Sequence, residues 1–122
     1  MAKKNALRER NVLTVNAGAV ARVELPIVRA TKMKCYQRLS WEISLATALG
    51  NTRCRLVIQG HGYDVQVAEQ QTPAANNLYW IHDAVWVYPG EVMVLLIDQP
   101  QNNTVAQLHG IGYVTEEKEG VV

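Results

Sequence analysis

The chain has 122 residues, with twelve basic and eleven acidic side chains for a net charge of +1, and 48% of it is hydrophobic. That length fits one domain whose core is large enough to need neither a disulfide framework nor a metal. The longest apolar run, Val92 to Ile97, is strand-sized and far short of the roughly 18 residues of a membrane span.

The opening Met-Ala-Lys-Lys-Asn is not followed by the apolar stretch of a secretory signal, so export by that route is not expected. Cys35 and Cys54 are too few for the scaffold logic of small secreted proteins. Buried free thiols are the expectation, and a disulfide closing that loop is the alternative. Charge is divided along the chain. Residues 1–55 carry eleven basic against three acidic residues, a net +8, whereas residues 56–122 carry Lys118 against eight acidic residues, a net −7. Such a division suits a basic segment meant for polyanions, or two complementary surfaces meant for each other.

In chain order, residues 1–11 hold Lys3, Lys4, Arg8 and Arg10 with Leu7 as the single sizeable apolar side chain, and read as a flexible basic N-terminal arm. Residues 12–115 read as a β-sandwich domain of short strands punctuated by turns. Val12 to Asn16 is a first strand. In Val20 to Val28 the residues Ala21, Val23, Leu25 and Ile27 alternate with Arg22 and Glu24, and Pro26 places this strand at an edge or ends it there. Lys32 and Lys34 fall in a connecting loop. Leu39, Trp41, Ile43, Leu45 and Thr47 then alternate with Arg38, Ser40, Glu42, Ser44 and Ala46.

After a turn at Gly50-Asn51, Cys54, Leu56 and Ile58 point inward with Arg53 and Arg55 outward, and Gly60-His61-Gly62 reverses the chain into Tyr63, Val65 and Val67. Glu69 to Asn77 is a loop. Leu78 to Tyr88, interrupted by His82-Asp83, is two short strands or one bulged strand. Val92 to Ile97 is apolar on both faces and belongs at the centre of a sheet. Val105 to Thr115 is the last strand, with Gly110 and Gly112 on one face where a neighbour can approach closely. Residues 116–122 form an acidic C-terminal tail. The expected fold is all-β: a single antiparallel β-sandwich of about eight strands, jelly-roll-like, with an immunoglobulin-like sandwich as the alternative.

No catalytic residue, metal ligand set or cofactor is assigned. His61, His82 and His109 each stand alone, without the His-x-His pair and carboxylate of a cupin-type metal site; convergence of the three from separate strands on a metal is the alternative. His82 and Asp83 are adjacent, so a regular strand would point them to opposite faces. No nucleophile elbow, phosphate loop or dinucleotide fingerprint occurs. Tyr79, Trp80, Trp86 and Tyr88 suit a core, with a glycan-stacking platform as the alternative. Arg22, Arg38, Arg53 and Arg55 share the outward parity of their strands and would form a basic face if those strands were neighbours.

The phrases Asn16-Ala-Gly-Ala-Val-Ala-Arg-Val-Glu-Leu-Pro-Ile and Tyr88-Pro-Gly-Glu-Val-Met-Val-Leu-Leu-Ile resemble those of small jelly-roll virion proteins of bacterial viruses, of the cement, decoration and minor capsid type. As a pattern the resemblance covers most of the chain. It implies a structural, non-enzymatic subunit binding copies of itself or a major capsid protein lattice, in a virion assembled in the host cytoplasm. A purely cytoplasmic protein is the alternative location. Lys3, Lys4, Arg8 and Arg10 would then dock on an acidic neighbouring surface; nucleic acid is a less favoured partner for the same arm. The competing functions are a carbohydrate-binding module and a metal-dependent jelly-roll enzyme.

Overall fold

Period-two alternation decides which face each segment buries. The computed structural model describes residues 3–16, 20–44, 52–71, 73, 77–100 and 103–116, and among these there are nine strands and no helix. They are β1 (Lys3–Val15), β2 (Ala21–Glu24), β3 (Lys32–Ile43), β4 (Arg53–Gly60), β5 (Tyr63–Gln71), β6 (Tyr79–Ile81), β7 (Val85–Val87), β8 (Val92–Asp98) and β9 (Thr104–Glu116). Leu39, Trp41 and Ile43 of β3, Cys54, Leu56 and Ile58 of β4, Met93, Leu95 and Ile97 of β8, and Ala106 and Leu108 of β9 are all buried in one core.

Two antiparallel sheets enclose that core, one ordered β1-β9-β3-β6 with β7 also on β3, the other ordered β2-β8-β4-β5. Rolling up one long antiparallel hairpin pairs its first strand with its last, its second with its second last, and so on inward. The pairs β1 with β9, β2 with β8, β3 with β6 and β7, and β4 with β5 follow that rule, with β6 and β7 as one interrupted strand. This is the jelly-roll order, and the interruption accounts for nine segments instead of eight. An immunoglobulin-like sandwich does not place its first strand beside its last in this way.

Several boundaries differ from expectation. Residues 3–11, read as a flexible arm, belong to β1, which pairs with β9 from Lys3↔Glu116 to Val15↔Thr104. Glu116, read as the start of the tail, ends β9, while residues 117–122 lie outside the described residues, as do Leu45, Ala46, Thr47 and the Gly50-Asn51 turn. Beyond Glu24 the alternation breaks at Pro26: Ile27 is exposed and Val28 buried instead. The edge position inferred from Pro26 is where β2 lies. β8 sits between β2 and β4, with Val94 and Leu96 joining Val57 in a small apolar cluster on the far side of the sheet from the core.

Lys32 and Lys34, expected in a loop, lie in β3, and a bulge explains why parity misplaces them. Pairing of β3 with β9 shifts between Tyr36 and Arg38, so Gln37 is an extra residue. From Arg38 onward the even-numbered residues face out, but before it Tyr36 and Lys34 face in. Tyr36 is 1% exposed and Lys34 is 7% exposed. The Lys34 ammonium donates to the Glu9 carboxylate and to the Pro26 carbonyl, each at 2.7 Å, and the Tyr36 hydroxyl donates to the other Glu9 oxygen. Burial, then the Glu9 contact, pushes the Tyr36 phenol well above its ordinary range. This network ties β1 to β3 across the glycines of β9.

Those glycines leave room for it. A Cβ on Gly110 would meet the Tyr36 ring at 2.6 Å, and one on Gly112 would lie 1.9 Å from the Cys35 carbonyl oxygen. The second contact is with backbone at the bulge, which no rotamer change relieves. Gly112→Ala should therefore destabilise the fold by at least about 1–3 kcal/mol in urea unfolding. Lys34→Met, which leaves Glu9 buried without its cation, should cost about 3–5 kcal/mol. Adding Glu9→Gln in the same chain should recover part of that loss.

Candidate functional site

The outward residues of the β1-β9-β3-β6 sheet fall into lateral rows, because directly paired residues share a face. One row is Arg10, His109, Ser40 and Trp80, across β1, β9, β3 and β6. The next is Arg8, Ile111 and Arg38, and the one beyond is Ala6, Tyr113, Cys35 and Trp86. At about 4.8 Å between strands, Arg10 and Trp80 stand roughly 14 Å apart in Cα terms. The Gln37 bulge matters here too, since it lets Cys35 and Arg38, three apart, face the same way.

Aromatic rings and cations are interleaved on this face. The Arg38 guanidinium lies 5.6 Å from the centroid of the Trp80 ring, and His82 packs edge-on against the same indole at 5.2 Å. Trp86 meets Tyr113 edge-on at 5.7 Å, and the Lys4 ammonium lies 4.7 Å from the Tyr113 ring centroid. Beneath that pair Cys35 is buried, and its hydrogen bond with Tyr113 is the main reason the phenol pKa is raised. Trp80 is 53% exposed and Trp86 39% exposed, so both indoles present surface to solvent. Of the four aromatics expected in the core, Tyr79 alone turns inward, half-buried and stacked with Trp41. Tyr88 is exposed beside the β7–β8 turn, its amide donating to the buried Glu91 carboxylate.

The cations here have neutral partners. Arg8 donates to His109 at 3.3 Å, and Arg10 donates to the Gln107 side-chain oxygen at 2.9 Å. Gln107 in turn donates to Glu42, the one described carboxylate with outward parity in these strands. Burial first, and then the charges of Arg8, Arg10 and Arg38, hold the His109 imidazole below its ordinary pKa of 6.5. A neutral imidazole is the form that accepts from Arg8.

The opposite sheet contrasts with this one. Arg53 and Arg55 of β4 both pair with Asp98 of β8, at 2.7 and 2.9 Å, and Arg53 also reaches Glu69 of β5 at 3.2 Å. Burial pushes the Asp98 carboxyl up, but the hydrogen bonds and charges of Arg55 and Arg53 outweigh it and hold the group below its ordinary range. Arg22 of β2 pairs with Glu24 at 2.6 Å and with Gln59. The single basic face expected from Arg22, Arg38, Arg53 and Arg55 is therefore not formed. Three of these arginines share the outer face of the β2-β8-β4-β5 sheet with carboxylates, and Arg38 stands on the other sheet. It joins Lys4, Arg8 and Arg10, which sequence reasoning had placed on a separate arm; the side chain of Lys3 lies outside what the structure describes.

The two thiols sit on different sheets and are free, and burial pushes the Cys54 pKa up to about 12. Among the described residues no group of three His, Cys, Asp or Glu side chains converges as a metal site. His61 occupies the exposed β4–β5 turn, whereas His82 and His109 make the contacts given above. Among the described residues no helix is long and apolar enough to cross a membrane. Comparison with protein-family models, with curated proteins and with solved structures finds no match.

The depressed His109 pKa has a defined consequence for stability. As pH falls below 6.5 the unfolded chain takes up a proton that the folded chain resists, so stability declines until the lower folded pKa is passed. Urea midpoints measured between neutral pH and about pH 5 should show this slope, and His109→Gln should flatten it.

Proposed function

We propose that this protein is a structural assembly subunit, whose copies associate side to side through the edges of the sandwich. The observation that carries the reading is an open seam along β5. Val65 pairs with Ile58, a core residue, and so has inward parity, yet it is 51% exposed, and Tyr63 beside it is 48% exposed. The strands that face β5 in a jelly roll, β6 and β7, are three residues each and leave this strip uncovered. On the other side of the sandwich β1 and β2 are joined by a hydrogen bond from Asn11 to the Glu24 carbonyl.

A second copy is the occupant that suits this seam. Exposed acids stand in β5, at Asp64, and between β6 and β7, at Asp83, while the opposite side, at β1, carries Lys4, Arg8 and Arg10. Apolar burial would supply affinity, and the opposite charges would set orientation. Such a head-to-tail contact closes into a ring or extends into a lattice. Both outcomes agree with the resemblance to cement, decoration and minor capsid proteins, and hence with a place in a virion, bound to its own copies or to a major capsid protein. The second reading, a carbohydrate-binding module, rests on the exposure of Trp80 and Trp86.

Light scattering on the purified chain should give a defined oligomer at low salt that loosens at high salt. Val65→Asp should reduce the molar mass while leaving the circular dichroism unchanged. A monomer at every salt concentration and protein concentration would remove this reading.

A further inference from the structure

We propose that the outer face of the β1-β9-β3-β6 sheet binds single-stranded nucleic acid, with phosphates on Arg8, Arg10 and Arg38 and a base stacked on Trp80. The β5 seam lies on the other sheet, but Arg8 and Arg10 of β1 also serve the self-association proposed above, so Trp80 and Arg38 are the residues that tell the two readings apart. Four cations stand on this face with neutral or aromatic partners, whereas the arginines on the outer face of the other sheet each pair with a carboxylate. The unmatched charge is therefore local to the face that also carries the exposed indoles.

The geometry favours a single strand over other polyanions. Sites for single strands combine a cationic track for the backbone with aromatic side chains on which bases stack, and every base offers a π-face. Here the track crosses the strands, from Arg8 and Arg10 on the β1 edge through Arg38 on β3 to Trp80 on β6. Trp80 lies at the outer end with half its surface open, the Arg38 guanidinium over its ring and His82 edge-on against it. A regular duplex keeps its bases stacked inside and would leave this ring unused. A neutral glycan would use the rings and leave the cations without a partner. A chain of acidic residues would satisfy the cations but has no aromatic ring to stack on the indole.

The test uses the full chain and a labelled oligothymidylate longer than the ~4–16 nucleotides that sheet-based single-strand sites occupy. Fluorescence anisotropy should show binding at low salt that weakens steeply as salt rises, with tryptophan quenching on saturation. A duplex of the same length, and polyglutamate as an acidic chain without bases, should bind more weakly. Trp80→Ala should weaken oligothymidylate binding roughly five- to a hundredfold, since stacking contributes to affinity on that scale. Arg38→Gln should weaken binding and reduce the salt slope by about one. Both side chains are exposed, so the variants should keep the native spectrum, and their molar mass by light scattering should match that of the parent chain. No binding at low salt would overturn the proposal. Equal binding of polyglutamate and oligothymidylate, with Trp80→Ala unaffected, would also overturn it and leave a simple acidic-partner surface. Loss of oligothymidylate binding in Trp80→Ala and Arg38→Gln with the oligomer intact would support the proposal and assign these two side chains to nucleic acid and not to self-association.

Discussion

Much of this structure depends on one extra residue in β3. Gln37 bulges where the Cys35 carbonyl presses against Gly112, and the strand changes parity at that point. On the inner side the change turns Lys34 and Tyr36 towards Glu9, so the longest edge strand, β1, is held to the sheet by a buried ion pair as well as by its ladder with β9. On the outer side it puts Cys35 and Arg38 on the same face, with Trp86 and Trp80 beside them. Glycine at 112 is thus a condition for both the anchoring of β1 and the layout of the outer face. An unbulged strand would send Lys34 to solvent and leave Glu9 buried alone, a state that costs several kcal/mol.

The roll-up of the chain explains how a sequence with a strongly dipolar charge distribution becomes a folded protein without a dipole of that size. In each sheet strands from the two halves of the chain alternate: β1, β9, β3 and β6 in one, β2, β8, β4 and β5 in the other. Every internal basic strand therefore has acidic or neutral neighbours. In the second sheet this produces the Arg53, Arg55, Asp98 and Glu69 cluster. In the first sheet β9 brings Gln107, His109, Ile111 and Tyr113 to the outer face, none of them acidic, and the cations of β1 and β3 keep their charge. The difference between a neutralised and an active surface comes down to what β8 and β9 place opposite the arginines.

Much of the fold was legible from alternation. Leu39, Trp41 and Ile43, then Cys54, Leu56 and Ile58, are core residues as their period-two spacing requires, and the two-faced apolar run of β8 lies at the centre of a sheet. Gly110 and Gly112 lie where close approach was expected. The N-terminal segment was misread because β1 has few apolar side chains of its own. Its inward Glu9 is compensated by Lys34, and a charge pair formed across the sheet leaves no local signal. The face carrying Trp80 and Arg38 was hidden for a related reason: its members come from four strands, and their adjacency is a property of strand order. Exposure of Trp80 follows from its pairing with Ser40 on the outer row, which parity within β6 and β7 alone does not supply.

The pairing of β1 with β9 also bears on how the chain acquires its structure. Lys3 must find Glu116, and each later pair in that ladder closes a loop of about a hundred residues, the kind of contact that slows folding. Neither β1 nor β3 can complete the first sheet until β9 slots between them, because the two never pair with each other. The second sheet draws β2, β8, β4 and β5, all of which are made before β9. Synthesis in the N-to-C direction therefore leaves a long interval in which β1, with its row of cations, is without a partner. A factor that occupied this strand early, or a mutation that slowed insertion of β9, would alter the yield of folded protein without altering the stability of the finished sandwich.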